Sequence, residues 1–184
     1  MPDKKFLGTF NVESGRLIVT DPCYEYDPFN VLLNVQNGTW IAEITTERYD
    51  GVTQLYAHRT CFEGNGHWRT AGFIVHVDSG QAGIFDAAHF DKDEDVSPEE
   101  TFENVSFRDS TDHTRWYKMC CDRTLGPDSA GVIPFGAVSA SGWGDGGYEC
   151  EYFETDDGLV TAVRINYIYR DYEEDEDEEE YDDE

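Results

Sequence analysis

The sequence predicts a mainly β protein, an antiparallel β-sandwich or open barrel with one or two short helices. Many short apolar runs are separated by turn residues roughly every 8–12 positions, a spacing typical of all-β sandwiches and barrels. Alternation with period two is clearest in residues 159–169, where Val163, Ile165 and Tyr167 share one face of a strand. The 184 residues, 14% of them aromatic, are enough for one domain with a substantial core.

The first two predicted strands are residues 6–12 and 16–20. The short corner Glu13-Ser14-Gly15 between them is of the type that closes a hairpin. Pro22 ends the second strand, because proline fixes its own φ and removes a ladder donor. Asp21 is therefore expected at a strand terminus, either in a turn or in a site.

A second hairpin is predicted from residues 31–35 and 39–45, joined by Asn37-Gly38. The first run is too short to distinguish a strand from a helical turn by itself. Asn-Gly between two apolar runs is the strongest local hairpin signal, and it favours two paired strands. Residues 52–58 are the next predicted strand, and the glycine-containing stretch 59–70 is predicted to be a loop.

The least generic passage consists of two apolar runs, residues 73–77 and 82–85, around the polar corner Asp78-Ser79-Gly80-Gln81. A hairpin that turns at Ser79-Gly80 accounts for this pattern. A functional site that projects from two strand ends accounts for it equally well. The choice depends on whether other polar corners lie beside this one.

An acidic insert occupies residues 86–112. Its start resembles a calcium loop, but Val96 stands where the sharp turn of an EF-hand needs glycine. Ser97, Pro98 and Glu100 instead form a capping-box pattern, which predicts a short helix over residues 97–105.

The remaining elements complete the β pattern. Residues 114–122 are apolar and predict a short helix or strand, and residues 132–140 predict a strand broken by proline and glycine. The clearest hairpin joins residues 148–155 to residues 159–169 through an Asp-Asp-Gly turn.

Charge is the most unusual property of the chain. The 40 Asp and Glu residues against 13 Lys and Arg give a net charge of -27. An excess of this size repels nucleic acid and anionic membranes, so neither is an expected direct partner. It favours a basic protein partner, and adaptation to high salt is the alternative explanation.

Part of this charge lies in residues 171–184, which hold twelve acids and no base and leave 28 acids against 13 bases elsewhere. The sequence therefore predicts a β-rich domain over residues 1–170 and a disordered acidic tail. The tail is either simply solvated or mimics a phosphate backbone. Its candidate partner-binding residues are Asp171, Glu173, Glu174, Asp175, Glu176, Asp177, Glu178, Glu179 and Glu180.

The N-terminal residues 1–10 include two lysines but no long apolar run, so we expect no signal peptide, no membrane span and a cytoplasmic location. The five cysteines are then expected to be reduced and buried, because an odd number fits no complete set of disulfides. They contain no Cys-x-x-Cys pair, and no metal site is predicted from them.

Three polar corners form the candidate site: residues 21–24, residues 78–81 and residues 139–148. Each places an Asp and a hydroxyl or thiol beside glycine or proline at a strand end. If the corners converge, their carboxylates supply ligands for a divalent cation, or one acts as base for Ser79 or Cys23. Otherwise they are tight turns that need glycine. The candidate binding residues are Asp21, Cys23, Asp78, Ser79, Gln81, Asp86, Ser141 and Asp145, and no cofactor or catalytic residue is predicted.

These corners also carry a resemblance. Residues 14–24, 34–40, 77–86, 120–121 and 138–148 resemble, in that order, a family of uncharacterised proteins of bacteria and their phages. The resemblance implies no reaction, cofactor or catalytic residue, because the function of that family is unknown. The acidic insert and the acidic tail lie outside its common pattern.

Three functions follow from the sequence. The favoured one is an acidic interaction or inhibitor protein, phage-encoded if the resemblance holds, that binds a basic host partner such as a nucleic-acid-binding protein in the host cytoplasm. The alternatives are a metal-dependent or Ser/Cys hydrolase built on Asp21, Asp78, Ser79 and Asp145, and a structural or ligand-binding module.

Overall fold

The computed structural model describes residues 1–62 and 64–168. Their strands are β1 (Asp3–Val12), β2 (Leu17–Thr20), β3 (Val31–Leu32), β4 (Gly38–Glu47), β5 (Gly51–Arg59), β6 (Gly66–Val77), β7 (Gln81–Asp86), β8 (Ala130–Ile133), β9 (Gly136–Ala140), β10 (Gly146–Thr155) and β11 (Val160–Asn166). The helix α1 spans Arg115–Thr124, and short 3-10 helices span Pro28–Asn30 and Asp93–Asp95.

The strands form two antiparallel sheets. The larger sheet has the order β1-β4-β5-β11-β10-β6, and the smaller sheet has the order β3-β2-β7-β9-β8. The predicted mainly β fold with two antiparallel layers is confirmed. An isolated parallel bridge joins Val35, three residues after β3, to Val160 at the start of β11.

The main core lies between the two sheets. Alternation along β11 places Val163 and Ile165 in this core, and Tyr167 follows them beyond the strand, as the period-two pattern predicts. They pack with Trp40 of β4 and Ile84 of β7. A buried aromatic pair closes the core, because the rings of Tyr148 and Tyr167 meet edge to face at 5.1 Å.

A second core covers the other face of the smaller sheet. Phe85 of β7 packs against Trp116 and Met119 of α1 and against Phe90 from the segment that follows β7. All six residues of β7 are buried, because the sheet is covered on both faces. Thr114 caps α1 by accepting from Tyr117 N, so residues 114–122, predicted as helix or strand, belong to a helix and its cap.

The first predicted hairpin is wrong, because β1 pairs with β4 and β2 pairs with β3 and β7. The corner between β1 and β2 instead carries the chain from one sheet to the other. Asp86 Oδ2 accepts from Glu13 N at 2.6 Å and from Ser14 N at 3.0 Å. These two bonds attach the corner to the end of β7 instead of closing it as a hairpin turn. Local turn chemistry could not reveal this distant carboxylate.

The second predicted hairpin is also wrong. β3 ends at Leu32 and pairs with β2, whereas β4 pairs with β1 and β5. Asn34 adopts a positive φ of 55° and turns the chain away. The side chain of Asn37, expected in the hairpin turn, instead accepts from Gly15 N at 2.7 Å. This bond joins the loop before β4 to the corner between β1 and β2.

Two further expectations fail. Residues 66–70 are not loop but the start of β6, because they pair with the end of β10. Residues 97–105 form turns and not a helix, because the Ser97 hydroxyl bonds to Glu99 and Phe102 takes a positive φ of 50°. Phe102 is buried beneath α1, so packing overrides the capping signal.

The last predicted hairpin is confirmed, because β10 pairs with β11. Residues 132–140, predicted as one broken strand, belong to two strands, β8 and β9, which pair with each other across the break at proline and glycine. No helix in the described ranges is long and apolar enough to cross a membrane.

Candidate functional site

The three polar corners of the sequence meet at one end of the sandwich. Asp21, which follows β2, is fully buried. Its Oδ2 accepts from Asp78 N at 2.9 Å and from Ser79 N at 2.7 Å. Its Oδ1 accepts from the Ser79 hydroxyl at 2.6 Å and from Cys23 N at 2.8 Å. The carboxylate therefore joins the ends of β2 and β6, which belong to different sheets.

The third corner is attached to the same turn. Asp145 Oδ1 accepts from Gly80 N at 3.0 Å, and Ser141 N donates to Gly80 O at 3.0 Å. The Ser141 hydroxyl donates to Gly144 O at 2.7 Å, which closes the loop before β10. Gly80 has a φ of +70°, a conformation that favours glycine. The turn at residues 78–81 is therefore a crossover between sheets, and the hairpin interpretation is wrong.

Convergence does not produce reactive groups here. Asp21 has about four lone-pair positions, and four hydrogen bonds occupy them. Three of these bonds come from backbone N–H groups at the ends of two strands, so the carboxylate is committed to the fold. Burial and then the neighbouring Asp21 raise the pKa of the Cys23 thiol to about 12, so it stays protonated. The geometry assigns this cluster to holding the two sheets together.

The metal alternative has no assembled set of ligands in residues 1–62 and 64–168. No three His, Cys, Asp or Glu side chains there are grouped so that they could hold a metal ion. Asp86, offered by the sequence as a fourth oxygen ligand, lies at the opposite end of β7 from Gly80. There its Oδ1 accepts from Ala88 N at 2.9 Å and its Oδ2 caps the β1–β2 corner.

Gln81 also has a structural role. It is buried, its Oε1 accepts from the Thr124 hydroxyl at 2.9 Å, and its Nε2 donates to Cys121 Sγ at 3.3 Å. These bonds fix α1 on β7. Cys120, Cys121 and Cys150 are buried as predicted, whereas Cys23 and Cys61 are exposed and correct that expectation.

Beside the corner lies a cleft of about 550 Å³ that sequence reasoning missed. It is lined by Thr20, Tyr24, Glu25, Tyr26, Asp27, Asn30 and His76. The available signal was the alternation of aromatic and acidic residues in Tyr24-Glu25-Tyr26-Asp27. Next to a proline, that run resembled an ordinary surface loop.

The walls of the cleft are held by the corner and by its own hydrogen bonds. The Tyr24 hydroxyl donates to Asp78, and this bond raises the pKa of Tyr24. Asp27 Oδ1 accepts from Phe29 N at 2.9 Å and caps the 3-10 helix, while Asn30 Nδ2 donates to Val19 O at 3.2 Å. The cleft is therefore built on the ends of two sheets.

The cleft carries negative charge that is not neutralised internally. Glu25 and Asp27 line the cleft, and Asp78 is bonded to its Tyr24. All three acids are exposed, and no Lys, Arg or His in the described parts of the chain forms an ion pair with them. Two apolar side chains of the same stretch of chain are also exposed, Phe29 by 84% and Leu33 by 60%. Exposed apolar side chains beside a charged cleft are typical of a surface that binds a partner.

The candidate partner-binding residues of the acidic tail, within residues 171–184, lie outside the described residues. Comparison of the chain with known protein families, curated proteins and solved structures finds no match. The resemblance to a family of uncharacterised bacterial and phage proteins stays a prediction.

Proposed function

We propose that this protein is an acidic binding protein whose partner is a basic polypeptide. The observation that carries the proposal is a preformed cleft lined by the exposed carboxylates of Glu25 and Asp27, which form no ion pair within the described residues. Unpaired carboxylates of one sign beside low-dielectric walls concentrate the field and attract cations. A net charge of -27 extends that attraction over the whole molecule.

A basic protein fits this surface better than a nucleic acid does. Phosphate groups are repelled by the same charges that attract lysine and arginine. Proteins that bind nucleic acid present such basic surfaces, so they are the class of partner we propose. If the chain is phage-encoded, it acts in the host cytoplasm as an inhibitor that occupies the site where such a protein binds nucleic acid.

The hydrolase alternative rests on one contact, in which the hydroxyl of Ser79 donates to Asp21 at 2.6 Å, within reach of a base. The same carboxylate accepts three backbone N–H groups at the ends of β2 and β6. These bonds give Asp21 a structural role, so we rank the hydrolase below the binding protein.

A panel of peptides tests the proposal. The full chain is titrated by calorimetry, at low salt, with arginine-rich, lysine-rich and glutamate-rich peptides of equal length. We expect binding to the basic peptides and none to the acidic one, because the surface field selects the sign of charge. Equal heats for all three, or no binding of either basic peptide, would overturn the proposal.

A further inference from the structure

We propose that the cleft beside Tyr24 and Tyr26 binds an arginine side chain of a basic polypeptide. This inference rests on the proposed function and assigns it a place and a preferred residue. The place is the cavity of about 550 Å³ between the end of β6 and the segment that leads from β2 into the 3-10 helix.

The size of the cleft favours a peptide segment over a bare ion. Its volume lies within the range of roughly 300–1,000 Å³ for ligand pockets. A metal ion needs several oxygen ligands within about 2.6 Å, and no such group exists in residues 1–62 and 64–168. One long side chain together with its neighbouring backbone fits the space.

The rings in the lining favour a cation with a flat face. Tyr24 and Tyr26 both line the cleft, and the Tyr26 ring is supported by Phe90 at a centroid distance of 6.4 Å. A guanidinium group stacks on tyrosine more readily than an ammonium group does. The Tyr24 hydroxyl is engaged with Asp78, so this wall is held in place before a ligand arrives.

The acceptors in the lining suit several donors at once. Glu25 and Asp27 present carboxylates, and the Nδ2 of Asn30 is bonded to Val19 O, which leaves Asn30 Oδ1 as an acceptor. Guanidinium has five N–H donors in a fixed plane, whereas ammonium has three on one atom. Because these acceptors lie on three different residues of the lining, they favour the guanidinium group over the ammonium group.

Exposed apolar side chains in the same stretch of chain as the lining offer contacts for the residues that flank the arginine. Phe29 follows Asp27 in the lining segment, and Leu33 lies just beyond β3. Both side chains are exposed in the free protein. Burial of these side chains on binding adds a hydrophobic contribution to the binding free energy, and that contribution is not screened by salt. The partner segment is therefore an arginine beside apolar residues, within a basic protein.

The test compares two charge-matched variants of the full chain. Glu25→Gln/Asp27→Asn removes the cleft charges, and Asn still caps the 3-10 helix. Asp156→Asn/Asp157→Asn removes two charges at the turn between β10 and β11. That turn bonds to Asn65, near the start of β6, whereas His76 of the cleft lies near its end. His76 lies eleven residues after Asn65 along the chain, roughly 35 Å of extended strand.

Affinity is measured by fluorescence anisotropy for an arginine peptide and a lysine peptide of the same length. We expect the cleft variant to bind the arginine peptide about tenfold more weakly, and the control variant to lose less than about twofold. Tyr26→Leu, which keeps an apolar contact with Phe90, should lose most of the preference for arginine over lysine. Thermal unfolding checks that each variant is folded.

The two proposals fail in different ways. Equal loss of affinity in the cleft variant and the control would overturn the cleft as the site and leave the basic partner standing. Equal affinity of the unaltered chain for both peptides would overturn the preference for arginine. If the unaltered chain binds neither peptide, the proposed function fails together with its site.

Discussion

The carboxylate of Asp21 accepts both the backbone N–H and the hydroxyl of Ser79, at 2.7 Å and 2.6 Å. Asp21 follows a strand of the smaller sheet and Ser79 follows a strand of the larger one. This contact therefore joins the two layers, and it also fixes the corner on which one wall of the acidic cleft stands.

Replacing Asp21 with Asn should destabilise the protein by about 3 kcal/mol. The amide group of Asn cannot accept from the N–H groups that now point at the second oxygen, so buried donors lose their partners. Ser79→Ala removes one of four bonds and should cost about 1–2 kcal/mol. Asp128→Asn, at an exposed pair with Lys5, is the control and should change stability by less than about 1 kcal/mol. Urea unfolding measures all three; equal losses at Asp21 and Asp128 would contradict the account.

The glycines in the loop before β10 test how tightly the polar corner at residues 139–148 is packed. A Cβ at Gly142 would lie 2.2 Å from Val52 O, and its φ is +56°. Gly144 also has a positive φ, of +89°, but no atom lies within 4 Å of its Cβ position. Gly144→Ala should cost about 1 kcal/mol and Gly142→Ala about 2–3 kcal/mol more. Similar melting temperatures for the two variants would argue against this packing.

Cys23 should react slowly with thiol reagents although it is exposed. Partial desolvation of the sulfur and then the nearby Asp21 raise the pKa of Cys23 to about 12, so the thiolate is scarce at neutral pH. Cys61 is also exposed and provides the internal comparison. Timed alkylation followed by peptide mass spectrometry should label Cys61 first. Labelling of Cys23 at the rate of Cys61 would show that the carboxylate does not protect the thiol.

His89 should make the stability depend on pH. Its Nδ1 lies 2.8 Å from Asp95 and its Nε2 lies 3.2 Å from Glu13, while its ring stacks on Phe135 at 3.5 Å. Burial opposes protonation, but the two hydrogen bonds, with further help from the charge of Asp86, outweigh it and raise the pKa of His89. The contribution of protonated His89 to the stability of the fold is therefore complete below the pKa of His in the unfolded chain, about 6.5. It is lost as the pH rises through the higher pKa of His89 in the folded protein.

The replacement His89→Phe keeps the stack on Phe135 and removes the charge. Urea unfolding of both proteins at about pH 5.5 and about pH 8.5 should show a larger loss in the variant at the acidic pH. A loss that is the same at both pH values would mean that the ring acts only by packing.

The sequence predicted the strands better than their partners. Alternation placed Val163, Ile165 and Tyr167 in the core, and the hairpin of β10 and β11 followed from its turn. Two other predicted hairpins, and the hairpin alternative at residues 78–81, failed because turn signals describe a few neighbouring residues only. Their geometry is set by side chains far along the chain, such as Asp86, which holds Glu13 and Ser14.

The candidate site was predicted in part. The grouping of Asp21, Ser79 and Asp145 around one turn was offered as one alternative, and the hydrogen bonds place them there. The sequence could not show that those bonds fill the lone pairs of Asp21. The cleft forms where Tyr24, in the segment after β2, and His76 of β6 lie on one surface, and no local pattern encodes that arrangement.

The dependence of binding on salt tests the central claim, a basic partner held by acidic surface, most directly. The affinity of the full chain for an arginine-rich peptide is measured from about 50 to about 300 mM salt, beside a chain that ends at residue 170. We predict a fall of more than about tenfold for the full chain, and a shallower slope without the twelve acids of residues 171–184. An affinity of the full chain that does not change with salt would contradict the claim.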